Sequence, residues 1–424
     1  MPENLAGWLA WLEQLHPKSI ALGLERVNEV KLCMGLQPRF PIITVAGTNG
    51  KGSTCAMLES ILTEAGYRVG CYTSPHLLRY NERVRIACHD AEDQALCRAF
   101  AAVELARGDI SLTYFEYGTL AAVWHFIQSG VEVAVLEVGL GGRLDAVNAF
   151  DPSCTIVTSI DLDHLDYLGN NRESIGREKA GIYREKIPAI CGDPDPPSTI
   201  LTHASTIGAI YRQVGRDFGF SQNGRQWNFW SGTSLMEGLP SPTLNGSFQL
   251  YNAACSLEAL HFLSKQLPVS QEQIALGLQQ IQLHGRFEFH TGRPMVILDV
   301  AHNPHAARGM AENLRQERVS GRTLAVFAML ADKDIGGVVR EVAGQIDMWF
   351  VASIRHVRGA DADQLVKVLH AELPQSLVES YSEVAEAFSQ ACQSAGENDR
   401  IIVFGSFYTV AGVLSVLSAT RDNN

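Results

Sequence analysis

The 424 residues contain no C-x-x-C pair among their nine cysteines, no block dense in Lys and Arg, and no short-period repeat or low-complexity tract. No apolar run reaches the roughly 18 uninterrupted residues that a membrane span requires. Each absence removes a class. Nine scattered thiols, an odd number, argue against a disulfide frame or a thiolate zinc site and for reduced cysteines in a cytoplasmic protein. A net charge of −12 without a basic block excludes a general nucleic-acid binder. It leaves room for a local anion site, which needs only a few donors. Met1-Pro2-Glu3-Asn4-Leu5 has no basic region leading into a long apolar core, so no signal peptide is expected. What remains is an ordinary globular composition, 46% hydrophobic and 19% charged, long enough for two or three domains with real cores.

One stretch organises the rest. The apolar run Pro41-Ile42-Ile43-Thr44-Val45 reads as a buried strand, and Cys55, Leu58, Ile61 and Leu62 read as one face of a helix that Gly66 stops. Between them lies Ala46-Gly47-Thr48-Asn49-Gly50-Lys51-Gly52-Ser53-Thr54. Strand, glycine turn, lysine, hydroxyl and helix make a phosphate-binding loop: glycines let backbone N–H groups approach the phosphates, and the lysine reaches the outer ones. The strict pattern G-x-x-x-x-G-K-[ST] is not met, because position 45 is Val and Gly52 separates Lys51 from Ser53. A glycine-rich turn without function is the competing reading; the flanking elements favour a nucleotide.

In chain order, Leu5, Trp8, Leu9 and Leu12 share a helical face, and a second helix spans 25–34. Between these two, residues 18–23 read as a simple connector. A strand at 67–73 opens into the polar stretch Ser74-Pro75-His76-Leu77-Leu78-Arg79-Tyr80-Asn81-Glu82-Arg83, leaving a strand's C-terminal end, where ligands bind in open α/β sheets. Helices at 91–106 and 113–128 precede a central strand, 131–138, which delivers Glu137 beside Gly139-Leu140-Gly141-Gly142-Arg143-Leu144-Asp145. The next strand, 154–160, ends in Asp161-Leu162-Asp163-His164, and a helix carries Arg177, Glu178 and Lys179. Residues 187–240 are less regular, with aromatic residues suggesting short strands. Two helices, 247–265 and 270–280, lead to His284-Gly285-Arg286. A domain boundary is expected near 287, dividing a large N-terminal P-loop ATPase-type α/β domain, 1–286, from a smaller C-terminal open α/β, Rossmann-like domain, 287–424. The smaller domain alternates helices with strands near 294–300, 322–329, 347–353, 377–380 and 400–405. A phosphate loop in one domain and polar strand ends in the other suggest a site in a cleft between them.

Several residues admit two readings. Glu137 is either a solvated strand end or a magnesium ligand, since a hard cation wants oxygen donors beside the phosphates it bridges. His164 reads best as a turn residue, because magnesium seldom takes nitrogen. Lys179 reads as part of a solvated helix face. Asp299, His302 and Asn303 close a strand either as a turn network or as a site, and Ser406 and Asp332-Lys333-Asp334 fit helix capping.

Taken together, Gly47 to Ser53, Thr73-Ser74-Pro75-His76-Leu77, Glu137 to Ala146, Asp163-His164, the helix around Lys179, His284-Gly285-Arg286 and Asp299 to Pro304 resemble the folylpolyglutamate synthases. The resemblance is strongest to their bifunctional dihydrofolate synthase members, and the Mur ligases of cell-wall synthesis are wider relatives. It covers about 5–415 in the family's order. It implies an ADP-forming carboxylate–amine ligase: ATP phosphorylates a carboxylate, and the amine of L-glutamate attacks the acyl phosphate. The substrates implied are dihydropteroate, giving dihydrofolate, and tetrahydrofolates, giving polyglutamates. Carried over by motif, Thr48, Asn49, Gly50, Lys51, Asn252, Arg286 and Asp299 hold ATP. Ser74, Glu137, His164 and Lys179 hold Mg2+, expected as two ions, with Lys179 carboxylated on its side chain. That use of His164 and Lys179 replaces the turn and solvated-face readings. Lys51, His164 and Lys179 are the catalytic set. Dihydropteroate falls to Ser19, Ile20, Ala21, Leu22, Thr113, Tyr114, Phe115, Glu116, Leu144, Asp145 and Ala146, and glutamate to Arg286, His302 and Ser406. The protein is expected to act as a cytoplasmic monomer on small molecules, with neither nucleic acid nor membrane as partner.

Two alternatives are a Mur-type ligase acting on a nucleotide-sugar and a non-catalytic ATP-gated binding protein. The first wants an additional N-terminal domain, for which too few residues precede the loop. The second needs no full set of metal groups.

Overall fold

A computed structural model describes residues 2–16, 20–224, 226–290 and 292–422. Two compact units emerge, one of residues 1–243 with 249–281 and one of residues 244–248 with 282–424.

The first unit is built on an eight-stranded sheet of β1 (Ile42–Ala46), β2 (Val69–Tyr72), β3 (Val84–Ile86), β4 (His89–Asp90), β5 (Val133–Glu137), β6 (Cys154–Val157), β7 (Pro188–Cys191) and β8 (Ile210–Gln213). Their order is β4-β3-β2-β5-β1-β6-β7-β8, with every pairing parallel except β2–β3 and β3–β4, so that β3 alone runs antiparallel. Every residue of β1, β5, β6 and β7 is buried, as expected of strands covered by helices on both faces. The chain passes from β1 to β2, returns to insert β5 between them, and then crosses to β6 on the other side of β1. This reversal opens a crevice at the carboxyl ends of neighbouring strands, the place where such sheets bind ligands. The phosphate loop follows β1, Ser74 follows β2, Glu137 ends β5, and Thr158 to Asp161 follow β6.

The irregular region 187–240 contains a helix not expected from the sequence, Ser198–Ile207, rich in β-branched residues that are poor helix formers. Its start is held from outside: the Glu173 carboxylate accepts from Ser198 N at 3.0 Å and Thr199 N at 2.9 Å, satisfying orphan donors where the helix end favours an anion. The aromatic residues beyond it form an antiparallel meander, β9 (Phe218–Asn223), β10 (Gln226–Ser231) and β11 (Ser234–Pro240).

The second unit has a six-stranded sheet of β12 (Glu288–His290), β13 (Met295–Leu298), β14 (Thr323–Phe327), β15 (Met348–Ala352), β16 (Leu377–Tyr381) and β17 (Arg400–Phe404), ordered β12-β13-β17-β14-β15-β16. Only β12, unforeseen from the sequence, runs antiparallel. Residues 244–248 pack here rather than with the helix that follows them: Ser247 N donates to Asn313 Oδ1 at 3.2 Å, and Asn245 Nδ2 to Phe287 O at 3.3 Å. No described helix is long and apolar enough to cross a membrane.

Candidate active site

The phosphate loop is clamped from beside it. Thr48 N donates to Ser159 O at 2.7 Å, and the Thr48 hydroxyl donates to Asp161 O and accepts from Asp161 N, both at 3.0 Å. Asn49 O accepts from the Thr158 and Ser159 hydroxyls at 2.6 and 3.1 Å. The two glycines are demanded by space and by backbone. Gly47 has φ 152°, and a Cβ there would stand 1.8 Å from Thr158 Oγ1; Gly50 has φ 86°, and a Cβ would stand 2.5 Å from Asn252 Oδ1. Asn252 therefore lies against the loop. Lys51 opens the helix Lys51–Glu64 and folds its Nζ back onto Gly47 O at 3.1 Å and Thr48 O at 3.2 Å. The ammonium thus sits over a helix N-terminus, whose first N–H groups lack intrahelical acceptors.

Glu137 is buried, and its Oε2 accepts from Ser74 N at 3.0 Å. The solvated strand end is thereby ruled out, and the β2 and β5 ends are joined. Beyond Ser74 the chain wraps around Glu82, whose carboxylate collects the N–H groups of Leu77, Leu78 and Arg79 at 2.7, 2.7 and 2.6 Å. Arg85 braces this loop from below, donating to Glu82 O at 2.8 Å and pairing with the buried Glu59 at 2.7 Å. Sequence reasoning placed Glu82 in the polar stretch after the strand without a role and passed over Arg85; the Glu82-Arg83-Val84-Arg85 run was the available signal.

Lys179 is buried, 3% exposed, and the solvated-face reading is wrong for it. Burial lowers its ammonium to about 7, with the charge of Lys51 adding to the effect and Asp163 opposing it. That coupling puts Lys179, Lys51 and Asp163 in one electrostatic neighbourhood. The turn 139–145 is fastened to the same helix: Arg143 N donates to Glu178 O at 2.8 Å, and a Cβ on Gly142 would meet that oxygen at 2.8 Å. His164 is the left-handed residue, φ 52°, before the short helix Leu165–Leu168, and its backbone does behave as a turn. Its ring is about a third exposed, with Nε2 3.9 Å from Asp163 Oδ2.

The residues carried over for dihydropteroate come together from three distant segments. Glu116 closes a capping box with Thr113, accepting from Thr113 N at 2.8 Å. Arg26 joins Glu116 to Ala21 O, and Gly23 N donates to Leu144 O at 3.3 Å. Asp145 is buried and accepts from Leu140 N at 2.9 Å and Val147 N at 3.0 Å. Burial pushes its carboxyl up to about 7, against the pull of those N–H groups and of Lys51. Phe115 presses on Gly139, and Tyr114 stacks edge-on to Tyr80 beneath the Arg83 guanidinium. Ser19 lies outside the described residues.

In the second unit, Asp299 bridges the strand ends through Phe287 N at 3.0 Å and Ala301 N at 2.8 Å. Burial raises its carboxyl to about 6, opposed by the Ala301 N–H and the charge of Arg286. Arg286 lies over the Phe407 ring, and His302 is 6.2 Å from the same ring, its Nδ1 2.8 Å from Val300 O. Ser406 is buried and caps the last helix, accepting from Thr409 N at 3.0 Å. Asp334 likewise caps its helix through Gly337 N.

The donor set in the first unit suits a hard cation: a buried carboxylate and a hydroxyl-bearing loop beside a phosphate-binding turn. Among the described residues no three of His, Cys, Asp and Glu gather as a metal cage.

Two family descriptions match the chain: the Mur ligase middle domain over residues 45–260, and the Mur ligase glutamate ligase domain over residues 285–407. The chain is 47% identical to the dihydrofolate synthase/folylpolyglutamate synthase of Escherichia coli K12, over 99% of this chain and 96% of that one. It superposes on E. coli FolC in complex with DHPP and ADP with a TM-score of 0.95, 47% identity, and 99% and 100% coverage. A bifunctional folylpolyglutamate synthase/dihydrofolate synthase with Mn, AMPPNP and L-glutamate bound matches at TM-score 0.91, 47% identity, and 98% coverage of both chains.

Proposed function

Because the chain belongs to the Mur ligase family, among its dihydrofolate synthase/folylpolyglutamate synthase members, we infer that it is an ADP-forming carboxylate–amine ligase adding L-glutamate to dihydropteroate and to tetrahydrofolates. The observation that carries this reading is the shared crevice of β1, β2 and β5, where the glycine turn with Lys51 lies beside the Ser74–Glu137 bond. The chemistry sets one physical problem. An anionic carboxylate must approach the anionic γ-phosphate of ATP, and the repulsion has to be screened as charge moves to the leaving oxygen.

Lys51 supplies positive charge at the phosphate loop, and the helix N-terminus behind it adds fixed N–H donors. Thr48, Asn49 and Gly50 shape the loop, and Asn252 rests against Gly50. A divalent cation, proposed as Mg2+ in two sites held by Ser74, Glu137, His164 and Lys179, would neutralise phosphate charge when bound. Lys179 suits such a role only in altered form, because an ammonium would repel the ion. Its lowered affinity for the proton leaves neutral amine near pH 7. The nitrogen attacks CO2, a C–N bond forms, the nitrogen's proton passes to solvent, and an anionic carbamate results.

Ile20 to Leu22, Thr113 to Glu116 and Leu144 to Ala146 are assigned to the pterin end of the substrate, with Ser19 assigned by motif alone. In the second unit Arg286 and Asp299 are assigned to the nucleotide, and Arg286 and His302 to glutamate. Ser406 joins them with its hydroxyl already engaged in capping. The glutamate amine attacks the acyl phosphate carbon, and the tetrahedral intermediate collapses to amide and phosphate. Action as a cytoplasmic monomer completes the proposal.

The test is phosphate release from ATP with dihydropteroate or tetrahydrofolate, each with and without glutamate. Release that needs both the folate compound and glutamate is expected. Release with neither folate compound but with a nucleotide-sugar would place the chain's activity with the cell-wall ligases, and no release with any acceptor would make it a binding protein.

A further inference from the structure

We propose that Arg26 is the positioning residue for the pterin-bearing substrate, clasping segment 20–22 to the start of the helix Tyr114–Gln128. The inference rests on the assignment of these segments to dihydropteroate. Arg26 Nη2 donates at 2.8 Å both to Ala21 O and to Glu116 Oε1, and Nε lies 3.4 Å from Glu116 Oε2. Its partner is fixed in turn. The Glu116 side chain is 4% exposed and accepts from Thr113 N at 2.8 Å, so the carboxylate stays where the capping box holds it.

A second link completes the arrangement. Gly23 N donates to Leu144 O at 3.3 Å, and the next residue, Asp145, is held by Leu140 N and Val147 N. The segment from 20 to 23, which has no regular secondary structure, is thereby tied at Ala21 to one substrate segment and at Gly23 to another. Ile20 and Leu22 are half-buried and offer only apolar side chains, so backbone bonds decide the path of this loop.

Removing the guanidinium would release Ala21 O and leave the Glu116 carboxylate buried without its cation. A substrate would then have to order the loop as it binds, a cost that appears as weaker binding of that substrate alone. The residues assigned to ATP are not among the hydrogen-bond partners of Arg26, which are Ala21 and Glu116. A lysine at position 26 keeps the charge but lacks the planar fork whose Nε and Nη2 face the two Glu116 oxygens.

The experiment uses the full chain with Arg26→Ala, Arg26→Lys and Glu116→Gln. KM is measured separately for dihydropteroate and ATP by phosphate release, and backbone hydrogen exchange is followed at residues 20–24. For Arg26→Ala, KM for dihydropteroate should rise at least roughly tenfold, the effect of losing one modest charge-assisted hydrogen bond. KM for ATP should stay within about twofold, and exchange at 21–23 should quicken. Arg26→Lys should fall between wild type and Arg26→Ala. An unchanged KM for dihydropteroate, or KM values for dihydropteroate and ATP rising in step, would overturn the clasp. If Arg26→Ala does not fold, Arg26→Lys carries the same comparison, and for Glu116→Gln, whose KM also reports its assigned substrate contact, faster exchange at 21–23 is the result expected of the clasp and unchanged exchange the result that overturns it. Should wild type release no phosphate with dihydropteroate and glutamate, the functional assignment fails, and exchange still judges the clasp: unchanged rates at 21–23 would refute it.

Discussion

Lys51→Ala separates a chemical from a structural role for the phosphate loop. The side chain makes two contacts within the loop, to Gly47 O at 3.1 Å and Thr48 O at 3.2 Å. In the proposed reaction it exchanges these for phosphate oxygens. Two charge-assisted hydrogen bonds at roughly 1.5–3 kcal/mol each amount to about 3–6 kcal/mol, or roughly 10²–10⁴ in kcat/KM. The fold should lose far less. The loop keeps its clamp through Thr48, Asn49, Thr158 and Ser159, and removing Lys51 also removes a charge that opposes the buried Lys179. The net cost should be about 1 kcal/mol, a Tm change of roughly 2–4 °C for a unit of this size. Phosphate release at saturating folate substrate and glutamate gives the first number, and a thermal melt by circular dichroism gives the second. Activity within about tenfold of wild type in a folded variant would refute the assigned chemistry. A collapse of the melt would instead give Lys51 a structural role.

Glu137→Gln keeps an acceptor for Ser74 N but removes the charge. The divalent-cation titration of activity should shift to higher concentration and kcat should fall by about 10²–10³, with an unchanged melt; superimposable cation titrations would contradict the ligand assignment. Asp145→Asn tests the raised carboxyl. In the folded chain this group holds its proton up to about 7, whereas unfolded it would lose it near 4. Between those values the folded state binds more protons, so this group's contribution to stability is full below the window and falls as pH rises through it, by on the order of a few kcal/mol. The amide at position 145 does not titrate, so the variant's stability should decline less than that of wild type between pH 4 and 8 in urea unfolding. Parallel curves would show that Asp145 ionises normally.

The phosphate loop was legible because its chemistry is local. Gly47, Gly50 and Lys51 sit within five residues between a continuous apolar run and an amphipathic one, and strand–turn–helix geometry follows from that order. The alternation of strands and helices in both halves, and hence two open α/β units, was readable on the same grounds. Helix Ser198–Ile207 was not, because the group that favours its start, Glu173, lies on another helix.

The role of a polar residue depended on its surroundings. Lys179 carries the pattern of a solvated helix face, yet packing buries it and lowers its hold on a proton. Residues 20–23 look like a bare connector, yet Arg26 and Leu144 give the segment a fixed course. Sequence alone determined the alternation of the main strands and helices and the one motif whose parts are neighbours along the chain, since periodicity and turn chemistry act over a few residues. Tertiary structure alone decided which charges are desolvated and which distant segments share hydrogen bonds, because burial and long-range pairing belong to the packed chain.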